Sequence, residues 1–585
     1  MTFNNGNIEN LESDAKWLPF FEKELVKLHD RYNSDNRMLR CPFSSPGYHT
    51  TIKSAEHIHP TRETTDYALA LLDAGGEKYE QRAFDIINEI VGLQDQNPES
   101  PTYGIWSWFW EEPLARMAPP DWNWADFIGK RLLFVLIRHG ERLPEDLHAA
   151  VRQAICHSCE AIIRRNVGPA YTNIAIMGAF VTLIAGERLG VSRYFEYGLA
   201  RLQRLYAYTM EAGAFLEYNS PPYSTIAILE LSALATYTLT ESAYRMTSEL
   251  LESTWQMIAE HFHPILKEWS GPHARSYSSF LDPTHLSFLY AACDGEVPLI
   301  READFRYNPE WFGHGVHCPH PFRSLFTDLP SARELSQDLP PSPEFRTRTA
   351  YTYMAEAYAL GTFNHNVMWN QCRNLLAYAG AENNERSYIR LRVLHDGYDF
   401  CSAVFKGTQQ GGSVLYGIQF ALDGGDTHVN LDPIHGKMNA ADLRIRLEIG
   451  CTGRAPAWTQ RGEDMYETVI GKTSLIVSGL YGAMSGFGPF RWETRTENGT
   501  SCLDLVLYEG SVREVDFHGM NEALFLFALS LSDEANEANE RPAGPEVFLL
   551  PRELTVQATR QMPEGQTALS LELAKKPASR LELLV

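Results

Sequence analysis

The chain has 585 residues, 44% of them hydrophobic and 21% charged, with a formal net charge of −23. That length exceeds one ordinary core, so two or more domains are expected, and the acidic excess argues against nucleic acid and anionic membranes as partners. Nine scattered cysteines read as free thiols of a reducing compartment.

The opening "MTFNNGNIENLESDAKW" has neither a basic start nor an apolar run. No export signal is legible, so the cytoplasm is the expected location; a leader already removed from a secreted or periplasmic protein would leave the same picture. No 18 apolar residues run together, and no membrane span is expected. From residue 14 onward, segments such as "DLHAAVRQAICHSCEAIIRRN", "NIAIMGAFVTLIAGERLG" and "ESAYRMTSELLESTWQMIAEHF" carry apolar residues at three- and four-residue spacing. About ten such helices joined by short loops build a solenoid or an α/α toroid, and the lack of a fixed repeat disfavours the solenoid.

Near residue 329 the texture changes to "LPSARELSQDLPPSPEFRTRT", which reads as a linker, and short alternating runs divided by Gly, Asn and Asp follow. The predicted fold class is multidomain, α then β. It comprises an incomplete (α/α) toroid over 1–330, a linker over 331–347, an antiparallel β-sandwich over 348–533 and a small β appendage over 534–585.

Several stretches carry hydrogen-bonding side chains in unusual density. In "GAFLEYNSPPYSTIAILEL" (213–231), a helix starting at Pro221 would have Ser220 as N-cap, Tyr223 in its first turn and Asn219 just outside. That arrangement suits a carboxylate at the positive helix end, and it equally suits a plain cap with an inward tyrosine. In "WSGPHARSYSSFLDP" (269–283), His273, Arg275 and Tyr277 alternate and would share one face of an extended segment. There they could bind a carboxylate and favour a phenolate, or form a satisfied loop network. Asn173 in "NVGPAYTNIAIM" opens a helix with Thr172 as an alternative cap. The loop at 103–129 holds Trp106, Trp108, Trp110, Trp122 and Trp124, offered either to sugar rings or to the core.

Other signals are weaker. Cys156 and Cys159 form a CxxC without a second pair, and "HGVHCPH" (314–320) reads as a loop ahead of a metal site. "GDTHVNLDPIH" (425–435) brings His428 and His435 near Asp426 and Asp432 as a hairpin loop, a structural metal site or a reach toward the helical domain. No cofactor is expected, and no Walker loop, GxSxG or HExxH is present.

Taken in order, these pieces resemble the heparinase II/III-like group of (α/α)-toroid polysaccharide lyases, with its alginate and hyaluronate/chondroitin lyase relatives. "GAFLEYNSPPYS" is similar to that group's Tyr-bearing stretch, "YTNIAIM" to its Asn-bearing helix start, "GPHARSY" to the Arg-rich loop of the hyaluronate branch and "DWNWADFIG" to its Asn-Trp motif. The resemblance covers the first 330 residues in order and the rest in texture, and fixes no subfamily.

It implies β-elimination at a uronic acid, giving an unsaturated uronate. Asn173 and Asn219 would neutralise the substrate carboxylate with help from His273, Tyr223 would serve as base and acid, and Arg275 would favour the phenolate or grip the carboxylate. Glu217, Tyr277, Trp106, Trp108, Trp122, Asn123 and Trp124 would bind substrate, as would His428 and His435, one of which could supply a base. Two departures stand out: Ser224 occupies a position where many relatives have His, and Asn219 one where the hyaluronate branch has its catalytic His. The net charge favours short acidic oligosaccharides over dense polyanions as partners. Two rivals remain: a toroidal glycoside hydrolase drawing on Glu111, Glu112, Asp121, Asp126 and Glu217, and a non-catalytic carbohydrate-binding scaffold.

Overall fold

A computed structural model describes residues 14–45, 49–341, 347–380, 385–533, 547–562 and 567–584. The amino-terminal stretch through 13, the proline-rich centre of the expected linker (342–346) and the polar run 534–546 lie outside these residues. The chain divides into two compact units. The first comprises Met1–Glu211, Thr225–Trp255 and Leu286–Pro319, and the second Ala212–Ser224, Gln256–His285 and His320–Val585.

Ten α-helices of ten or more residues fall between Leu18 and Ala292 among the described residues. They alternate in character. Thr172–Leu189 is buried at every position from Thr172 to Gly186, whereas the following Ser192–Ala212 buries one stripe that includes Tyr194, Gly198, Leu202 and Leu205. Thr61–Ala74 and Asn123–His139 are likewise mostly buried, while Glu77–Gly92 is amphipathic. Within the first unit the buried helices pack on one another, Thr61–Ala74 on Asn123–His139 and the latter on Thr172–Leu189. The amphipathic Glu77–Gly92 and Glu145–Arg165 pack together outside them. A helix apolar all round needs neighbours on every side, and one with a single stripe can face water, so the sequence itself sorts the hairpins into the two layers of an incomplete (α/α) toroid. Thr172–Leu189 is long and apolar enough to cross a membrane by length and composition alone, and its burial marks it as the inner wall of this layer pair.

The second unit holds two antiparallel sheets. One runs Arg491–Glu497, Thr500–Asp516, Lys437–Cys451, Arg386–His395, Leu375–Gly380, Tyr358–Phe363, Arg348–Met354, Arg333–Leu339, with Tyr398–Asp399 branching from Arg386–His395. The other runs His365–Val367, Ala403–Gln410, Ser413–Phe420, Ala523–Asp533, Thr473–Met484, Met465–Ile470, Thr459–Gln460. Leu360, Ala377, Ile389 and Val393 from the first meet Phe405, Tyr416, Leu475 and Phe527 from the second in one core, which makes a β-sandwich. A three-stranded sheet, Val547–Pro551, Thr555–Arg560 and Leu569–Ala574, adds a third layer by seating Val556, Ala558 and Leu571 on Leu415, Leu524 and Leu526.

One expectation is corrected here. Within the expected linker, Arg333–Leu339 is a strand paired with Arg348–Met354, from Arg333 opposite Met354 to Leu339 opposite Arg348. Its polar residues are those of an edge strand with one face in water, which mimics linker composition. The second unit also takes in 212–224 and 256–285 from the helical half of the sequence, and these carry the site.

Candidate active site

The helix Pro221–Tyr237 begins as its sequence dictates. Pro221 and Pro222 occupy the first two positions, and Ser220 Oγ accepts the Tyr223 amide N–H at 3.3 Å. Ser224 Oγ closes the cap by accepting from the Ser220 amide at 3.2 Å. Two prolines and one capped N–H leave none of the first three positions with an amide for an external anion. The expectation of a carboxylate seated on this helix end therefore gives way to a tyrosine projected from a rigid cap.

Asn219 points the other way. Its side chain is fully buried, donating from Nδ2 to the carbonyls of Ser270 at 2.7 Å and Pro272 at 3.1 Å, while Oδ1 accepts the Trp269 indole N–H at 2.6 Å. Its φ of 48° is left-handed, a conformation Asn tolerates better than most residues. Gly271 is equally constrained, because a Cβ there would stand 2.4 Å from Thr352 Oγ1 and 2.6 Å from Asn219 Nδ2. The amide thus holds the 269–272 turn against the cap, which is a positioning role where a substrate contact was expected.

The segment after that turn is pinned by backbone bonds on two sides. Ala274 N–H reaches Tyr218 O at 3.1 Å, Ser276 N–H reaches Gln371 O at 2.7 Å, and His273 and Arg373 exchange bonds of 3.2 and 3.0 Å. Side chains alternate as anticipated, although His273 does not join the other two. It is buried, with Nε2 bonded to Trp269 O at 2.9 Å, and burial pushes its pKa down to about 3, assisted by the Arg373 charge. A neutral, enclosed imidazole gives no cationic help to a carboxylate.

Arg275 and Tyr277 converge on Tyr223. The Arg275 guanidinium lies 4.4 Å from the centre of the Tyr223 ring and 5.5 Å from that of Trp369. It is oriented by Glu217 Oε1 at 3.2 Å from Nη1 and by Gln371 Oε1 at 2.8 Å from Nη2. The Tyr223 and Tyr277 hydroxyls are 2.6 Å apart, and Tyr277 is 63% exposed. Burial drives the Tyr223 pKa well above the ordinary phenol value, with Arg275 opposing that shift and Tyr277 adding to it. Gln371 and Trp369 were missed in the sequence; their one signal is the polar and aromatic run "MWNQCRN" interrupting apolar strands.

His428 packs edge-on against Trp369, with ring centres 5.3 Å apart. Its Nδ1 accepts the amides of Asn430 at 3.1 Å and Leu431 at 3.2 Å, so a neutral ring carries its proton on Nε2 and presents a donor there. That tautomer opposes the expectation of a base. His435 is exposed in a left-handed turn, its carbonyl accepting from His518 Nε2 at 3.0 Å, and none of the contacts among the described residues ties it to Tyr223. Asp432 instead caps the hairpin loop at Thr427 and His428, and Asp426 accepts from His395 at 2.7 Å. Among the described residues no three His, Cys, Asp or Glu are grouped to hold a metal ion.

The remaining expected residues belong to the first unit. Asn173 is buried in the first turn of Thr172–Leu189, whose N-cap is Tyr171, so neither Thr172 nor Asn173 serves as cap. Trp106 is sealed in the core with its indole N–H on Ile90 O at 2.7 Å, which removes it from any sugar surface. Trp108 and Trp124 stack with centroids 5.1 Å apart. They line a pocket of about 880 Å³ together with Arg31, Arg62, Asp66 and Glu310. Asp66 and Glu310 are both held on the buried Arg131 guanidinium. Trp122 is half-buried, and Asn123 bonds Tyr171 Oη at 3.3 Å and Arg165 Nη1 at 2.5 Å.

The carboxylates proposed for hydrolysis are engaged elsewhere. Glu111 bonds His59, Glu112 takes Thr50 and Thr51, Asp121 takes Trp108 Nε1 and the Asn123 amide, and Glu217 holds Arg275. Asp126 is buried, and that burial pushes its pKa up to about 7.

Residues 42–291 match a family model described as a domain of unknown function, DUF8769. No curated protein matches the chain. Among solved structures it is similar to a chondroitin AC lyase of Streptomyces coelicolor A3 in complex with chondroitin sulphate, at 9% identity over 98% of this chain and 95% of that one, TM-score 0.46. It is similar to heparinase III at 10% identity over 88% and 82%, TM-score 0.41. It is also similar to the endoglucanase CelQ of Clostridium thermocellum in complex with cellotriose, at 9% identity over 82% and 72%, TM-score 0.25.

Proposed function

We propose that this chain is a carbohydrate lyase that breaks a glycosidic bond at a uronic acid by β-elimination, releasing an unsaturated uronate. The observation that carries this reading is the Tyr223 phenol projected from a doubly prolyl, Ser-capped helix start, with Arg275 fixed 4.4 Å over its ring and an exposed edge beside it. A phenol must exchange protons with carbon and oxygen in such a reaction, and a fixed cation lowers the cost of its anion. Arg275 also supplies the positive charge that a uronate carboxylate needs when the C5 proton becomes acidic. Asn219 and His273 support this group from behind and do not touch substrate. His428 packs on Trp369, and its neutral tautomer suits a substrate carboxylate or hydroxyl better than a proton on carbon.

The hydrolase alternative is less well served. A glycosidase needs one carboxylic acid protonated near neutrality. Asp126 has a pKa raised to about 7, but it is buried and does not line the first unit's pocket, where Arg131 and Lys130 overcome burial and hold Glu310 well below the usual carboxylate range. The deciding experiment is a panel of uronate oligosaccharides and polymers followed for new absorbance near ~235 nm, the signature of the conjugated enol ether that elimination alone makes. Product carrying one added water without that absorbance discards the lyase reading. A binder without turnover, whose affinity survives Tyr223→Phe, points to the non-catalytic scaffold.

A further inference from the structure

Tyr277 is an unusual residue to leave in water. Its ring is 63% exposed, its hydroxyl is 2.6 Å from that of Tyr223, and the two ring centres are 6.2 Å apart at a tilt of 43°. The backbone beside it is held in place, Ser276 N–H on Gln371 O at 2.7 Å and Ser276 Oγ on Ser278 O at 2.7 Å. The exposed phenol is therefore aimed by a fixed loop and does not hang from a loose one. The two phenols are also electrically unequal. Arg275 lies over the ring of Tyr223, and that side chain is the more deeply enclosed of the pair.

We infer that Tyr277 is a second catalytic phenol, acting as the acid that protonates the departing glycosidic oxygen while Tyr223 acts as the base. This assignment rests on the lyase reading of the same site. The cycle closes without any other reactant. The Tyr223 phenolate takes the C5 proton, and the C5–H electron pair becomes the C4–C5 double bond as the C4–O bond breaks. The leaving oxygen takes the Tyr277 proton, which leaves a phenolate on Tyr277. That phenolate then takes the proton from Tyr223 across the hydrogen bond joining them. One proton has moved from carbon to the leaving alcohol, and the pair is restored. Arg275 lowers the cost of returning the anion to Tyr223, working against the burial that favours the neutral phenol there. Two phenols in contact divide the task between two positioned oxygens.

The test separates acid from base by the leaving group. Wild type, Tyr223→Phe and Tyr277→Phe are each given a uronate oligosaccharide and a synthetic uronoside carrying fluoride at C4, because fluoride departs without protonation. Tyr277→Phe is expected to lose roughly a hundredfold in kcat on the oligosaccharide and to stay within about threefold of wild type on the fluoride. Tyr223→Phe is expected to fail on both. Tyr277→Phe turning over the oligosaccharide normally, or losing equally on both substrates, overturns the relay. Wild type eliminating from neither substrate overturns the reaction itself, an outcome told apart from the first two by the wild-type control.

Discussion

Asn219 Oδ1 accepts the Trp269 indole N–H at 2.6 Å, while its Nδ2 bonds the carbonyls of Ser270 and Pro272. One buried amide thus closes the turn that delivers Arg275 and Tyr277 to Tyr223. Asn219→Ala removes three hydrogen bonds and strands a buried indole N–H, an expected cost of about 3 kcal/mol. Urea unfolding should show the loss, with activity falling as a consequence of a displaced Arg275. An Asn219→Ala protein as stable as wild type and yet inactive would instead put the amide on the substrate.

Activity should rise with pH. Burial holds Tyr223 protonated through neutrality, and the reactive pair must be short of one proton. Below the phenol pKa the fraction in that form grows tenfold per pH unit, so kcat/KM should climb steadily from about pH 7 toward 10. Arg275→Gln removes the opposing cation and should push the rise further to the alkaline side. A bell centred near pH 6 would indicate a histidine or carboxylate base and remove Tyr223 from that role.

The Ser-Pro-Pro-Tyr cap was legible because local chemistry alone settles it: a hydroxyl, two residues without N–H, and one amide to cap. The alternation of Arg275 and Tyr277 was legible for the same reason. Asn219 and His273 were misread because a sequence shows the hydrogen-bonding capacity of a side chain and not which partner claims it; here Trp269 and neighbouring carbonyls do. Trp106 was misread likewise, its indole N–H claimed by a helix carbonyl. Gln371 and Trp369 join Arg275 only through a pairing almost a hundred residues away in sequence, which no local pattern encodes. The strand Arg333–Leu339 resembled a linker because an edge strand needs apolar residues on one face alone.

Acid should weaken the second unit through its enclosed histidines. Burial lowers the pKa of His261 to about 4, of His263 to about 4 and of His273 to about 3. These rings are neutral when folded, whereas the unfolded chain takes up their protons below about pH 6.5. Their contribution is therefore fully present above that pH and is lost as pH falls toward the folded values, at about 1.4 kcal/mol per pH unit for each ring. Urea midpoints measured between pH 7 and 4 should fall, and His273→Gln should flatten the slope by about one proton. An unchanged slope in that variant would mean His273 is charged when folded.

The last prediction concerns the pocket of the first unit. Trp108 and Trp124 stack there, with indole N–H groups bonded to Asp121 Oδ2 at 3.2 Å and Thr61 Oγ1 at 3.0 Å. With both donors engaged inside the protein, the rings offer a ligand only apolar surface, which is what the less polar face of a sugar packs on. The Arg62 guanidinium sits 3.8 Å from the Phe127 ring and brings positive charge to the same pocket. Trp124→Ala should weaken oligosaccharide binding to this pocket by about tenfold, close to what an aromatic contact provides. Arg62→Gln should weaken a uronate trisaccharide while sparing its carboxyl-reduced counterpart. Calorimetric titration of both sugars into both variants reads the two effects directly. Equal affinities in wild type and Trp124→Ala would show that these rings are wall and not platform.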